Sequence, residues 1–257
     1  MGTIKMICYL PLGYPTLEKS VEMAGYYVQG GCDAIEVSIP PVNPYRDGPF
    51  IQDLMRKALE KCGSYERYLE KVRTLTKKYP GTEFFLLLYH EVIMNIGVER
   101  LCGFCKENGI ENIISGDLHD EGALAMLRAN GIKLARAVNY QMKEDDINRC
   151  IETDGFTYMQ AFLSEGQQAR PGFEELKTCI RYLRERRVSE PIYCGAGIRN
   201  PGDAARVKEA GGDGFFVGSS IIKLYENPQE LVKLIEEYKR AVSDEDAGDV
   251  NTKHTKL

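Results

Sequence analysis

Three features of the sequence predict an α/β fold, a closed (β/α)8 TIM barrel. Eight short strand-like runs alternate with stretches of helical periodicity, the signature of repeated βαβ units and a parallel sheet. Runs such as Phe84-Phe85-Leu86-Leu87-Leu88 are apolar without interruption, which suits strands buried on both faces. The 257 residues match the length of about 250 that one such barrel needs.

Ile4 to Leu10 is predicted as the first strand, and Pro11 to Pro15 as its exit. Thr16 is a candidate N-cap for a helix whose stripe is Val21, Ala24, Tyr27 and Val28, although Lys19 stands where a capping box wants Glu. Gly30-Gly31 stops that helix. The second strand, Ala34 to Ile39, runs into a loop with prolines at 40, 41, 44 and 49. Helical patterns continue over 51–59 and 65–79, then a third strand from Glu83 to Tyr89. The alternation goes on with helix 97–108, strand 111–115, helix 120–130, strand 132–138 and helix 143–153. The sixth strand, 156–161, opens a long polar loop over 162–172, followed by helix 173–187, strand 191–194, helix 201–210 and strand 214–217. A short helical piece at 221–225 and a helix over 229–242 complete the pattern. Residues 1–243 are expected to form a single domain. The polar segment 244–257 has no apolar face and is expected to be a disordered tail.

Composition excludes several function classes. Net charge is -5 with no basic stripe, which argues against nucleic acid as a partner. No apolar run approaches the roughly 18 residues of a membrane span, and the N-terminus enters a strand-like run without a signal-peptide layout, so a cytoplasmic location is expected. The eight cysteines are scattered, several within apolar patterns, and are expected as reduced thiols. Cys102 and Cys105 spell C-x-x-C, but inside a helical pattern, where core packing is favoured over redox chemistry. His90 and His119 have no metal-ligand spacing, and no metal is expected.

Active sites of such barrels lie at the C-terminal ends of the strands. Glu36 interrupts the apolar pattern of the second strand and shares a face with Ala34 and Ser38. Facing a pocket, it would have a raised pKa suited to giving and accepting a proton; an ion-paired structural role is the alternative. Asp47, beside Gly48 in the proline loop, reads on its own as a turn former, with a second acid–base group as the alternative. Tyr89 and Tyr158 lie at or near strand ends and either meet a ligand or pack the core. Two late glycine loops, Gly195-Ala196-Gly197 and Gly218-Ser219-Ser220, stand where a barrel phosphate site belongs.

The run Glu36-Val-Ser-Ile-Pro-Pro-Val-Asn-Pro-Tyr-Arg-Asp47-Gly-Pro-Phe-Ile-Gln52 resembles the signature of the tryptophan synthase alpha subunit family. Leu12-Gly13-x-Pro15, Leu86 to Tyr89, Asp117, Tyr158, Gly195-x-Gly197-Ile198 and Gly218-Ser219 match further family positions in register, over roughly residues 4 to 240. The resemblance implies a (β/α)8 barrel that splits indole-3-glycerol phosphate, by retro-aldol chemistry, into indole and glyceraldehyde 3-phosphate. It implies that Glu36 protonates indole C3 and helps take the side-chain hydroxyl proton, and that Asp47 serves the indole N–H. Tyr158 would help orient the substrate or Glu36, and Gly195, Gly197, Gly218 and Ser219 would hold the phosphate. No cofactor is implied in this chain; pyridoxal phosphate is expected only in a partner beta subunit, met by the loop bearing Pro40, Asn43 and Pro44. The loop after the sixth strand departs from the family's lid motif, leaving Ser164 and Gly166 as lid candidates. That departure keeps two alternatives open: a divergent paralogue acting on another phosphorylated substrate, and a non-catalytic phospho-ligand binder or regulator of a beta subunit.

Overall fold

A computed structural model describes residues 2–243; the predicted tail, 244–257, lies outside the described residues. In chain order the elements are β1 (Lys5–Pro11), α1 (Leu17–Gln29), β2 (Ala34–Ser38), α2 (Pro49–Lys61), α3 (Tyr65–Lys78), β3 (Glu83–Leu87), α4 (His90–Ile96), α5 (Val98–Glu107), β4 (Asn112–Ile114) and α6 (Glu121–Ala129). They continue with β5 (Lys133–Leu134), β6 (Arg136–Val138), α7 (Glu144–Ile151), β7 (Thr157–Gln160), α8 (Leu176–Glu185), β8 (Ile192–Gly195), α9 (Pro201–Ala210), β9 (Gly214–Val217), α10 (Ser219–Ile222) and α11 (Pro228–Val242). Every strand pair is parallel, in the order β5-β4-β3-β2-β1-β9-β8-β7-β6.

The predicted fifth strand is divided at Ala135. Its first half pairs with β4 and its second with β7. Ala135 N–H still donates to Ile113 O and Arg136 N–H to Phe156 O. The two halves are therefore one barrel strand that changes partners, and the eight-fold closure holds. Several details differ from expectation: the third strand ends at Leu87 and the short helix after β9 runs Ser219–Ile222. An additional helix, α4, fills the segment between β3 and α5 by burying Val92, Ile93 and Ile96. The helix expected from 173 begins only at Leu176. Thr16 does cap α1, its hydroxyl accepting from Lys19 N–H at 3.1 Å.

Alternation along the strands sorts side chains into two cores. One faces the helices, where Ile35, Val37, Leu86 and Ile113 pack against helical apolar stripes. The other fills the barrel with Ile7, Ala34, Phe85, Ala135, Phe156, Tyr193 and Phe216. Phe85 stacks on Phe156 with centroids 5.3 Å apart, and Phe156 lies 4.9 Å from Tyr193. Below this aromatic layer Lys5 pairs with Glu83, its ammonium 5.5 Å from the Tyr193 centroid. Paired with a carboxylate and set over a ring face, the charge is tolerated at the barrel floor. The inward set on β2 is Ala34, Glu36 and Ser38, so the parity that puts Ala34 into the aromatic floor puts Glu36 above it, toward the mouth. Among the described residues no helix is long and apolar enough to cross a membrane.

Candidate active site

A cavity of about 680 Å³ opens at the C-terminal ends of the strands. Glu36, Asp47, Tyr89, Tyr158, Gly197, Gly218 and Ser219 all line it. Glu36 is 6% exposed, and among the described residues no side chain or backbone group donates a hydrogen bond to it. Removal from water disfavours its charged form, and the Asp47 charge adds to the effect, so its pKa is pushed up to about 8. At neutral pH it is therefore mostly a carboxylic acid, ready to donate.

Asp47 is held from outside its own loop. The Tyr89 hydroxyl donates a short hydrogen bond to Asp47 Oδ2. Backbone N–H of Arg46 donates to the Tyr89 oxygen at 3.2 Å, and Gln52 Nε2 donates to the Asp47 carbonyl at 2.7 Å. The turn itself closes through the backbone, Asp47 N–H to Pro44 O, so the carboxylate is not the turn-forming group. Burial raises the Asp47 pKa, while the Tyr89 hydrogen bond and then the Arg46 charge oppose the rise. The two carboxyls thus differ: one has no donor, the other has a donor and a nearby cation. Such a difference separates an acid from a carboxylate within one pocket.

The far wall carries the glycine loops. Ala196 and Gly197 both adopt positive φ, at 61° and 90°, in a turn that lines the cavity. Gly218 precedes the single turn of α10, whose first N–H groups have no intrahelical acceptor. Tyr158 stands between the two ends, 5.0 Å from the Phe216 centroid. Burial holds its phenol well above the usual range, with the Glu36 charge adding.

A sequence profile of the family described as "Tryptophan synthase alpha chain" matches residues 2–249. The chain belongs to the tryptophan synthase alpha chain family. It is 28% identical to the tryptophan synthase alpha chain of Aquifex aeolicus over 244 residues, covering 92% of each chain. It is 30% identical to that of Petrotoga mobilis over 240 residues, covering 91% of this chain and 92% of the relative. The crystal structure of tryptophan synthase subunit alpha from Legionella pneumophila superposes with a TM-score of 0.79 at 25% identity, covering 93% of this chain and 92% of that one.

Against the tryptophan synthase alpha expectation, some residues stand elsewhere. Gly195 is not on the cavity wall. A Cβ there would lie 2.1 Å from the Tyr158 oxygen, so this glycine makes room for the tyrosine, and the glycine of its loop that lines the cavity is Gly197. Ser164 and Gly166 do not line the cavity either. Their loop is fastened by a reciprocal amide pair, Gln160 with Gln167 at 2.6 and 3.0 Å, and Gln167 also accepts from Ser164 N–H. Of the expected partner-facing residues Asn43 is exposed, Pro44 half-buried, and Pro40 buried beneath the loop.

The structure adds Tyr9, Arg46 and Gln160 to the cavity wall. Tyr9 and Gln160 sit on inward positions of β1 and β7, one step along the alternation from Ile7 and Tyr158. That parity was the available signal. Arg46 is placed by packing, its guanidinium lying over bare Gly116, where a Cβ would be 2.8 Å from Nε. The C-x-x-C cysteines are both buried on α5, and burial pushes the Cys105 thiol up to about 12, so it packs rather than reacts.

Proposed function

We propose that this chain is a carbon–carbon lyase that cleaves indole-3-glycerol phosphate to indole and glyceraldehyde 3-phosphate in tryptophan biosynthesis. The observation that carries the reading is the pairing of two unlike carboxyls in one cavity whose opposite wall is built from glycine loops. The phosphate is held at Gly197, Gly218 and Ser219, by backbone N–H groups at close approach. That anchor places the carbon chain across the barrel and the indole over the Glu36 side.

Glu36, protonated at neutral pH, donates its proton to indole C3. Aromaticity is lost, and positive charge develops toward the ring nitrogen. Asp47, whose upward shift on burial is opposed by Tyr89 and Arg46, accepts the N–H hydrogen bond as a carboxylate and stabilises that charge. The Glu36 carboxylate, now carrying negative charge in a dry site, takes the proton of the hydroxyl on the carbon attached to C3. The C3–C bond then breaks. Its electron pair returns to the ring as indole, and the released carbon becomes the aldehyde of glyceraldehyde 3-phosphate. Tyr158 holds the substrate between the two ends. Every step assigned to these residues is a proton transfer or charge stabilisation, and pyridoxal phosphate is assigned to a partner beta subunit.

The partner surface proposed is the loop after β2. It exposes Val42 and Tyr45 at 71% and 58%, next to exposed Asn43, and Phe50 in the first turn of α2 is 39% exposed. Large apolar side chains exposed on an active-site loop suit docking of another protein. The deciding assay is indole release from indole-3-glycerol phosphate, with and without a beta chain. Glu36→Gln is expected to lower turnover by about 10³-fold or more while still binding indole-3-propanol phosphate. Full turnover by Glu36→Gln would overturn the assignment.

A further inference from the structure

Two hydroxyls beside Glu36 have no partner other than each other. Tyr9 Oη and Ser38 Oγ are buried from solvent, the Ser38 hydroxyl lies near enough to act on the Tyr9 phenol, and among the described residues nothing accepts from the Tyr9 hydroxyl. Buried hydroxyls are costly to leave unpaired, whereas a Phe and an Ala would carry no such cost. Both lie on the inward faces of adjacent strands, Tyr9 in register with Glu36 and Ser38 one inward position further along β2. Tyr9 also belongs to the cavity wall. Its other flank meets the glycine loop: a Cβ on Gly218 would lie 3.4 Å from the Tyr9 Cβ and 3.7 Å from its ring. Tyr9 therefore spans the wall between the loop assigned to the phosphate and the acid assigned to the reacting carbon.

Any phosphorylated substrate anchored at both ends must lay its intervening carbons over this ring. We infer that Tyr9 is a positioning residue that reads hydroxyl groups on the carbon chain between phosphate and reacting carbon, its Oη–H donating to a substrate hydroxyl while Ser38 Oγ–H donates to Oη from behind. Burial, and after it the Asp47 charge, hold the Tyr9 phenol well above its ordinary range, so it acts as a donor and not as a base. The ligand class selected is a phosphomonoester of a hydroxylated chain over its deoxy counterpart. Selection of this kind is strong because the deoxy ligand leaves the donor unpaired.

The inference rests on the proposed placement of phosphate and acid, and its test is independent of turnover. NMR titration with sn-glycerol 3-phosphate and with n-propyl phosphate gives a ratio of affinities for the hydroxylated over the bare chain. The wild type is expected to favour the hydroxylated ligand by about tenfold. Tyr9→Phe is expected to bring the ratio near one without changing propyl phosphate binding, and Ser38→Ala to reduce it in part. An unchanged ratio in Tyr9→Phe, or equal weakening of both ligands, overturns the inference and leaves Tyr9 as packing. If Tyr9→Phe does not fold, an unchanged ratio in Ser38→Ala overturns it. A wild type that shows the ratio but releases no indole from indole-3-glycerol phosphate sinks the proposed reaction and leaves the Tyr9 assignment standing.

Discussion

Two loops rise over the barrel mouth, and they are tied to different neighbours for different ends. The loop after β2 is fastened to its neighbours. Val42 N–H donates to Glu91 at 3.0 Å, Tyr45 to Asp117 at 3.1 Å, and Arg46 N–H to Tyr89, which itself holds Asp47. The Tyr45 and Tyr89 rings add an edge-on contact at 5.7 Å. The loop after β7 is tied at its root by the Gln160–Gln167 pair and further along to the segment after β6, where Arg170 N–H donates to Tyr140 O. The first loop places a carboxylate in the cavity; Ser164 and Gly166 of the second do not reach it. A group whose charge must be fixed needs anchors on several elements. The second loop is anchored too, by Gln141 to the Gln168 carbonyl and by Arg170 to the Met142 carbonyl and Glu144, but its anchors all lie away from the carboxyl pair.

The contrast is sharpest at Asp47. Asp47→Asn keeps the shape and removes the charge, and is expected to cut indole release by about 10²- to 10³-fold; Ser164→Ala in the other loop should stay near wild type. A large loss in Ser164→Ala would erase the distinction between the loops. The next effect is on pH. Glu36 must carry its proton to act as the acid, and its pKa is about 8. Raising pH from 7 to 10 should therefore lower turnover by about a hundredfold. A flat alkaline limb of the pH–rate profile would remove Glu36 from the role of acid. Tyr89→Phe takes away the hydrogen bond that favours ionised Asp47. The Asp47 pKa should then rise further, moving the acid limb of the profile to higher pH, with a loss of about tenfold near neutrality. The smallest change is expected from Gln167→Ala, within about threefold in kcat/KM, because it loosens a loop without touching the carboxyls. Hydrogen exchange at residues 162–168 should nonetheless speed up in that variant, which separates mobility from chemistry.

Much of this was readable along the chain. Helical and strand periods gave the barrel, and inward parity on β2 put Glu36 on the interior wall. The division of the fifth strand was not readable, because residues 132–138 form one strand-like run and only the neighbours decide where pairing changes sides. Asp47 illustrates the limit within the site. Beside Gly48 it has the chemistry of a turn former, and its release from that role depends on Tyr89, 42 residues away. Gly195 is the reverse case. Its glycine-loop context pointed to a phosphate contact, yet the space at its α-carbon is filled by Tyr158.

Local period and residue chemistry, both legible in the chain alone, dictate eight barrel strands, a carboxyl on an inward face, and glycine turns at the last two exits. Which groups meet was settled in three dimensions. Closure of the barrel set Glu36 in a wall with no donor and gave Asp47 a phenol and a cation, so that burial raised one carboxyl to about 8 while hydrogen bonding restrained the other. Desolvation and charge pairing act through space over a few ångströms, and spacing along a chain carries no record of them until the barrel closes.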